Sequence, residues 1–412
     1  MFKLEGFIFG FVETIYIFTD QYQPVSLIMY IEKLKEQFFH LYGEGECKIY
    51  FAPGRVNLIG EHVDYNGGRV FPCALSYGTY LVMREREDDS IFFASENFEY
   101  KTRVEVDKIS KGNSEWVKYP MGVIDQFHQR GFQAKGMELL FAGNIPNGAG
   151  LSSSASVELV MSVALNERIE ANLDQVELVK MSQKAENEFV GVNCGIMDQF
   201  AIGMGVKNHA IALNCDSLEY DLVPLEMAGY KLVIGNTNKQ RGLADSKYNE
   251  RCSECEIAVE LINQEQRIDF LCELNDKQFS KVENLLTSDV IRRRAKHVVS
   301  ENQRVSKAID ALKEGHLEEF GLLMNASHDS LRDDYEVTGV ELDTMVEEAR
   351  KIEGVLGSRM TGAGFGGCTV SLVKEEAVDT FIKTVGDNYK TRIGLEPEFY
   401  VAEIGDGAKK LQ

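Results

Sequence analysis

Positive charge is scarce in this chain, and so are tryptophan, proline and long apolar runs. The 412 residues include 44 lysines and arginines against 65 aspartates and glutamates, a formal net charge of -21, with one tryptophan and 7 prolines. Nucleic acids and anionic membranes bind proteins that present a stripe of basic side chains, which this composition does not offer. The composition therefore argues against polyanionic partners, and an anionic ligand would need a local positive site.

The sequence also lacks an uninterrupted apolar segment that could cross a membrane. Residues 1–28 are rich in phenylalanine and isoleucine, but acidic residues and Pro24 interrupt them, and neither a basic start nor a small-residue cleavage site is present. An amphipathic helical pattern covers residues 29–42 and opens with a second methionine, Met29. We expect translation to begin at Met29 and residues 1–28 to be a non-native or disordered leader.

A disulfide framework is missing as well. The 8 cysteines are scattered through a long chain rather than spaced as in a small secreted domain, which indicates reduced thiols and a cytoplasmic location. Cys252 and Cys255 form a CxxC pair, but no second pair lies at zinc-ribbon spacing, and residues 246–261 have a helical pattern. We expect no structural disulfide and no zinc or redox centre at this pair.

The length of the chain predicts two domains that share a cleft, because single hydrophobic cores stop growing below this size. Proline is rare and no repeat is visible, so the boundary has to come from changes of pattern. Strand-like and helical runs alternate up to a predicted hairpin at residues 208–223, then helical patterns dominate residues 245–350, and strands return at 367–373 and 398–404. We predict a mixed α/β domain at residues 29–215 and an α+β domain at residues 216–412.

The first motif is the run GNIPNGAGLSSSAS at residues 143–156, followed by an amphipathic helical pattern. Glycines permit close approach of the backbone, while the first-turn amides and the dipole of a helix favour an anion, so this run predicts a phosphate-binding loop. The alternative is an ordinary serine-capped helix after a glycine-rich turn. The loop is not a Walker A motif, because the chain contains no Gly-Lys dipeptide, and it lacks the GxGxxG spacing of a dinucleotide-binding fold.

The second motif is GRVNLIGEHVDYNGG at residues 54–68, which is too polar and too rich in glycine for a core element. Carboxylates and an imidazole interleaved in this way are suited to hydrogen-bonding several hydroxyls of a sugar. A metal site is the rival interpretation, but Glu61, His62 and Asp64 are crowded onto one loop and no second histidine lies near them in sequence.

The third motif is MTGAGFGGCTVS at residues 360–371, where glycines lead into a strand. Taken alone it is weak, because a tight turn with close backbone packing explains it as well as a direct ligand contact does.

With these three segments in order, the chain from about Met29 onward resembles the GHMP small-molecule kinases and, within them, the galactokinases. Residues 54–68 look like the galactose-reading segment of that family, with Val63 where the family usually has threonine. A further match covers residues 185–200, which carry Glu186 and Asp198. The resemblance implies an α+β, two-domain GHMP kinase fold with a ferredoxin-like second domain and an active site between the domains. It also implies phosphorylation of the anomeric hydroxyl of galactose by ATP.

The resemblance implies a role for individual residues too. Asp198 would be the catalytic base, although a helix-capping aspartate is the simpler reading of its position. Arg55 would lie beside Asp198, keep its carboxylate charged and stabilise the transferring group. Ser154 and Glu186 would hold Mg²⁺. The ATP phosphates would lie against a loop of consecutive residues, namely Gly148, Ala149, Gly150, Leu151, Ser152, Ser153 and Ser154.

The resemblance assigns the sugar and the adenine to separate residues. The sugar segment would contribute Glu61, His62, Val63 and Asp64, and Tyr248 would come from the second half of the chain. Trp116, the only tryptophan, resembles a residue that lies beside the base in the family, but core packing explains it nearly as well. Ser95, after a predicted strand, is a further candidate for a nucleotide contact.

Two other functions stay open at this stage. An N-acetylgalactosamine kinase would share the fold and the sugar segment. A galactose and ATP sensor without activity would keep the binding residues, but the presence of Asp198, Arg55 and Glu186 and the lack of a basic tail argue against it. We expect a monomer with small-molecule partners only.

Overall fold

The structure, a computed structural model, describes residues 16–18, 24–112, 115–145, 150–239 and 244–412. The helices in these ranges are α1 (Leu27–Tyr42), α2 (Lys118–Gln129), α3 (Ser153–Arg168), α4 (Gln175–Lys184), α5 (Met197–Met204), α6 (Ala244–Ile262), α7 (Asp276–Val282), α8 (Asp289–Lys313), α9 (Leu317–Ser330), α10 (Gly339–Ala349) and α11 (Val378–Ile393). The strands are β1 (Tyr16–Phe18), β2 (Pro24–Ser26), β3 (Lys48–Asn57), β4 (Arg69–Val70), β5 (Pro72–Glu85), β6 (Ser90–Ser95), β7 (Thr102–Glu105), β8 (Met137–Gly143), β9 (His209–Asn214), β10 (Tyr220–Pro224), β11 (Tyr230–Asn236), β12 (Val355–Thr361), β13 (Cys368–Lys374), β14 (Glu398–Val401) and β15 (Lys409–Lys410). Within the described ranges, no helix has both the length and the apolar character that a bilayer span requires.

The first half of the chain is built on a six-stranded sheet in the order β15-β3-β5-β8-β6-β7, in which β6 and β8 are parallel and the other neighbours antiparallel. Successive side chains of a strand point to opposite faces of the sheet. On β3, Tyr50 and Ala52 accordingly pack into a core with residues of α2, α3 and α4, whereas Ile49 and Phe51 pack into a second core with α1. The sheet is therefore covered by helices on both faces, as the mixed α/β prediction requires.

Helix α1 shows how well the apolar spacing predicted local structure. The pattern predicted a helix over residues 29–42, and the helix spans Leu27–Tyr42 with Tyr30, Ile31, Leu34 and Phe38 buried on one face. This face covers the sheet side opposite to α2 and α3. The predicted helix is confirmed, two residues longer at its start.

The second half contains a four-stranded antiparallel sheet in the order β12-β13-β11-β14. Read in chain order, its first strand is central and pairs with the third and fourth strands, which is the ferredoxin-like arrangement that the family resemblance implied. Helices α10 and α11 pack on one face around Val233 and Val373, and α9 packs on the other face. The predicted α+β architecture with a ferredoxin-like second sheet is confirmed.

Helix α8 connects the two halves. Ser288 caps it by accepting a hydrogen bond from the amide of Ile291, and the helix then runs for 25 residues. Arg294, His297 and Glu301 are buried on it together with its apolar face, although such side chains are seldom buried without partners. Glu301 and His297 bind backbone groups of Gly60 and Glu61, in the segment that follows β3, so α8 brings polar groups of the second half to the candidate site. Arg294 instead pairs with Glu254 and Glu336, within the second half.

The predicted hairpin is present as the antiparallel pair of β9 and β10, with a turn that contains Asp216. The proposed boundary between residues 215 and 216 lies in that turn and stays a prediction. At the other end of the chain, β15 returns to pair with β3 of the first sheet. Of the proposed leader, residues 1–15 and 19–23 lie outside the described residues, and β1 pairs with β2.

Candidate active site

The centre of the candidate site is a pair formed by Arg55 and Asp198. Arg55, near the end of β3, donates from Nε to Asp198 Oδ1 and from Nη2 to Asp198 Oδ2, both at 2.8 Å. Asp198 lies in the first turn of α5, but the N-cap residue is Ile196 and no side chain caps the helix. The carboxylate is therefore engaged by a cation and not by helix amides, and its side chain is 28% exposed, so a substrate can reach it.

The predicted phosphate loop lies against the same pair. Arg55 Nη1 donates to the carbonyl oxygen of Gly150 at 2.8 Å, and the Arg55 amide donates to the carbonyl oxygen of Leu151 at 3.2 Å. A side chain at Gly54 would meet that same carbonyl oxygen at 2.8 Å, so glycine is needed for this close approach. The loop thus rests directly on the end of β3.

The side chains of the loop differ in their exposure and therefore in whether a ligand can reach them. The side chain of Leu151 is buried in the core, and Ser152 is buried with φ 60° and donates its hydroxyl to Asp198 Oδ2 at 2.5 Å. Ser153 is exposed and Ser154 half-buried at the start of α3, where the free amides and the dipole attract an anion. Gly148 and Ala149 lie outside the described residues.

Glu186 lies beside the start of α3, in a π-helical turn over Ala185–Val190 that follows α4. Its buried carboxylate hydrogen-bonds Ser154 and accepts from Gln199 Nε2 at 2.6 Å. Burial and the nearby negative charge of Asp198 raise the pKa of Glu186 to about 7. Two adjacent oxygen donors beside a phosphate loop suit Mg²⁺, which takes few protein ligands and completes its shell with phosphate and water oxygens.

Glu158 is a second buried carboxyl group behind Glu186, one helical turn after Ser154. Gln199 Nε2 bridges the two glutamates, at 3.2 Å from Glu158 Oε2. Burial and the charge of Glu186 raise the pKa of Glu158 well above its ordinary value. Neither Glu158 nor Gln199 was predicted from the sequence, although Gln199 directly follows Asp198.

The predicted sugar segment leads from β3 toward Asp198. Asp64 lies against the backbone of Gly195. A Cβ atom added at Gly195 would stand 2.0 Å from Asp64 Oδ2, so only glycine fits there. Burial and the charge of Asp198 raise the pKa of Asp64 to about 7. Val63, by contrast, buries its side chain in the core, and its carbonyl oxygen accepts from the amides of Asn66 and Gly68 at 3.1 and 2.8 Å.

His62 is held from both sides. Its Nε2 lies 3.2 Å from the carbonyl oxygen of Ala363, which can only accept, so the neutral ring carries its hydrogen on Nε2. Its Nδ1 then accepts from the hydroxyl of Tyr65 at 2.9 Å. Burial lowers the pKa of His62 to about 3, which keeps the ring neutral at physiological pH. Tyr248 of α6 stands close by, with 5.5 Å between the two ring centroids.

Glu61 has partners that the sequence did not predict. Its carboxylate pairs with Arg359 of β12 and accepts from the amide of Gly362 at 3.0 Å. Both Glu61 and Arg359 are buried. The structure thus joins Glu61 to the third motif, and Arg359, which directly precedes that motif, was missed because nothing local marks an arginine in a strand as buried.

The nucleotide candidates lie in an open cavity next to the start of α3. Its walls include the polar groups of Ser95 and Ser154 and the aromatic rings of Phe98, Trp116 and Phe141. Trp116 is half-buried, its indole N–H donates to the carbonyl oxygen of Tyr100 at 3.1 Å, and its ring stacks on Phe98 at 6.3 Å. The structure therefore brings both predicted residues to one cavity that opens beside the phosphate loop.

The chain is similar to known proteins of one superfamily. Residues 118–206 match the GHMP kinases N terminal domain and residues 308–391 the GHMP kinases C terminal domain. A mevalonate kinase structure, at 20% identity and a TM-score of 0.62, shares the fold over 87% of this chain and 99% of its own. The fold and the site thus define a GHMP small-molecule kinase, a phosphotransferase.

More specific matches narrow the assignment. Residues 36–85 match the galactokinase galactose-binding signature. Galactokinases of Clostridium beijerinckii and Bacillus subtilis are both 53% identical to the chain, over 92% of its length and 99% of theirs. The crystal structure of Lactococcus lactis galactokinase complexed with galactose superposes with a TM-score of 0.91 at 46% identity, over 93% of this chain and all of that one. The chain belongs to the galactokinase family.

Proposed function

We propose that this protein transfers the γ-phosphoryl group of ATP to the anomeric hydroxyl of galactose, giving galactose 1-phosphate and ADP. The observation that carries the proposal is the placement of Asp198, which contacts Arg55 of the sugar segment and Ser152 of the phosphate loop at the same time. A base at this junction can reach a sugar hydroxyl and a phosphate bound on either side of it. The likeness to galactokinases supports galactose as the acceptor.

Asp198 is proposed to accept the proton of the anomeric hydroxyl as the oxygen forms its bond to the γ-phosphorus. The bond between that phosphorus and the bridging oxygen breaks in the same step, and ADP leaves with the electron pair. Phosphoryl transfer asks a protein mainly for positioning and for stabilisation of charge. Arg55 supplies both, because its guanidinium is buried, orients the carboxylate through two bonds and carries a positive charge beside the reacting groups.

The phosphates are proposed to lie on the backbone of Gly150 and the first turn of α3, with Ser153 and Ser154 as hydroxyl donors. Ser154 and Glu186 are the proposed ligands of Mg²⁺, which would offset phosphate charge. Glu186 can serve because its carboxylate already lies at the Ser154 hydroxyl, and Gln199 holds it there. The adenine is proposed to occupy the aromatic cavity beside Trp116, with Ser95 at its edge.

The galactose pocket is proposed to lie between Asp64, His62 and Tyr248. Asp64 offers carboxylate oxygens to sugar hydroxyls, while His62 and Tyr248 form an aromatic wall whose rings lie 5.5 Å apart. Glu61 is proposed to support the pocket from behind, because its buried carboxylate is engaged by Arg359 and Gly362. Val63 contributes through its backbone, because its side chain is in the core.

We further propose that the protein acts as a cytoplasmic monomer of two domains, residues 29–215 and 216–412. The scattered spacing of the cysteines supports the cytoplasmic location, and the acidic composition argues against polyanionic partners. Light scattering after size-exclusion chromatography would measure the mass in solution, and a species of twice the chain mass would refute the monomer.

The reaction can be tested with a coupled assay of ATP consumption over a panel of galactose, N-acetylgalactosamine and glucose, with Mg²⁺ present. We expect turnover with galactose, and phosphorus NMR of the product should place the phosphate on the anomeric oxygen. Preferred turnover of N-acetylgalactosamine would instead support the acetylated sugar as substrate. Binding of galactose and ATP without any turnover would refute the enzyme and support a sensor.

A further inference from the structure

The backbone of residues 57–61 is bound by groups from the second half of the chain. Thr361 Oγ1 accepts from the amide of Asn57 at 3.2 Å and donates to its carbonyl oxygen at 3.0 Å. Glu301 of α8 accepts from the amide of Gly60 at 3.0 Å, and His297 Nε2 donates to the carbonyl oxygen of Glu61 at 3.2 Å. Residues 57–61 are all buried, and β3 ends at Asn57, so these polar groups need such partners.

Arg359 makes the largest contribution to this set. Its Nη1 donates to the carbonyl oxygens of Asn57 and Leu58 at 3.3 and 3.2 Å, and its Nη2 pairs with the carboxylate of Glu61. The side chain is fully buried on β12, so the charge depends on Glu61 and on Glu301, which lies 4.0 Å from Nη2. One guanidinium thus fixes three points along five residues, which a lysine ammonium cannot reproduce.

The segment that Arg359 holds determines where the next residues emerge. His62 follows it directly and adopts φ 63°, a left-handed conformation that a non-glycine residue keeps only when its surroundings enforce it. Asp64 comes two residues later, against Gly195 and near Asp198. A shift of residues 57–61 would therefore displace the side chains proposed to bind the sugar, whereas the nucleotide cavity is formed by other elements.

We propose that Arg359 and Thr361 are positioning residues for the sugar: they shape residues 57–61 so that His62 and Asp64 meet the acceptor in the correct place. This gives the third motif a function that its sequence alone did not reveal. The inference rests on the proposed function, because it takes residues 61–64 of the sugar segment as the ones that bind galactose. It assigns neither residue a contact with the substrates.

The experiment measures KM for galactose and for ATP in Arg359→Lys, Thr361→Val and Thr361→Ser proteins. Misplacement of about 1 Å can cost on the order of 10²-fold, so we expect KM for galactose to rise about 10-fold or more in Arg359→Lys and Thr361→Val. KM for ATP should stay within about twofold of that of the original protein, because the elements that form the nucleotide cavity are not displaced. Thr361→Ser keeps the hydroxyl and should restore galactose binding.

Arg350 provides a matched control. It also donates to one carboxylate and two carbonyl oxygens, those of Asp329, Asn325 and Ser358, at 2.9 to 3.2 Å. All three partners lie in the second half of the chain, so Arg350→Lys should leave KM for galactose unchanged even if it lowers the melting temperature.

The outcomes separate this inference from the proposed function. Folded Arg359→Lys and Thr361→Val proteins with an unchanged KM for galactose, or with equal rises for galactose and ATP, would overturn the positioning role. If Arg359→Lys does not fold, the contrast between Thr361→Val and Thr361→Ser decides, because both changes are small. Asp64→Ala is measured alongside. If it weakens galactose binding while the other variants do not, the positioning role alone fails, and if it has no effect, the sugar segment itself is wrong and the inference falls with it.

Discussion

The hydroxyl of Ser152 donates to the carboxylate of Asp198 across 2.5 Å. Together with two bonds from Arg55, this contact gives the carboxylate three donors, all from segments far away in the sequence. The predicted phosphate loop and the proposed base are therefore parts of one hydrogen-bonded unit. A movement of this loop would therefore change the hydrogen bond between Ser152 and the Asp198 carboxylate.

The first prediction concerns Asp198→Asn. The amide keeps the shape but cannot accept a proton at useful pH, so both substrates should bind while kcat falls by about 10²-fold or more. Steady-state kinetics and calorimetric binding would measure the two effects.

Asp174→Asn is the matched control for that experiment. Asp174 is a true N-cap that accepts from the amide of Glu177 at 2.9 Å, and asparagine caps about equally well. Near-normal turnover by a folded Asp198→Asn protein would remove Asp198 from the base assignment.

The second prediction concerns Glu186→Gln. If Glu186 is an oxygen ligand of Mg²⁺, the variant should need about 10-fold more Mg²⁺ for half-maximal rate and turn over more slowly, while galactose affinity is kept. A Mg²⁺ titration at fixed ATP measures this. Glu188→Gln, an exposed neighbour on the same turn, should behave like the original protein. Identical titrations for the two variants would contradict the assignment.

The third prediction is that Asp64→Ala weakens galactose selectively. Sugar hydroxyls left without their acceptor in a buried site cost about 1–3 kcal/mol, or roughly 5- to 150-fold in KM for galactose. KM for ATP should change little, because the nucleotide cavity involves other residues. A parallel loss for ATP would indicate a folding defect instead.

The fourth prediction is that Glu61→Ala lowers the stability of the protein more than Asp64→Ala does. Glu61→Ala removes the main counter-charge of the buried Arg359, and breaking a buried ion pair in this way costs about 3–5 kcal/mol. Thermal unfolding should show a much larger drop in Tm for Glu61→Ala than for Asp64→Ala. Glu61→Ala should also weaken galactose binding, through the segment that Arg359 holds. Equal, small changes in Tm would show that the ion pair contributes little.

The fifth prediction concerns the pH dependence of stability without ligands. The pKa values of Asp64 and Glu186 are about 7 in the folded protein and about 4 in an unfolded chain. Between these two pH values the folded state therefore binds more protons than the unfolded state does. Their contribution to stability is therefore lost as the pH rises from about 4 to about 7. Asp64→Asn, which cannot ionise, should raise Tm relative to the original protein at pH 8 and less so at pH 5.

The matched control for the pH experiment is Asp216→Asn, in the exposed turn between β9 and β10. Its difference in Tm from the original protein should be the same at both pH values. If Asp64→Asn also shows a difference that does not depend on pH, the raised pKa of Asp64 is ruled out as a source of instability.

Much of the fold could be predicted from local pattern. The apolar spacing of residues 29–42 predicted α1, and alternating runs predicted the hairpin of β9 and β10. Periodicity works in these cases because each element buries one face against a neighbour. The order of the strands could not be obtained in this way, since it depends on pairing between distant segments. The family resemblance implied the ferredoxin-like order of the second sheet, and the order of the six-stranded sheet came only from the structure.

The sequence by itself determined the family and the segments proposed to carry the chemistry, because glycine-rich turns and interleaved polar residues are local features. Only the tertiary structure decided which side chains meet. Ser152 contacts Asp198 from 46 positions away, and Arg359 reaches Glu61 from 298 positions away. A buried arginine and a buried glutamate look like surface residues in a sequence. Their burial is stable only because the fold brings opposite charges and backbone acceptors to the same place, and that depends on how the two sheets and α8 pack together.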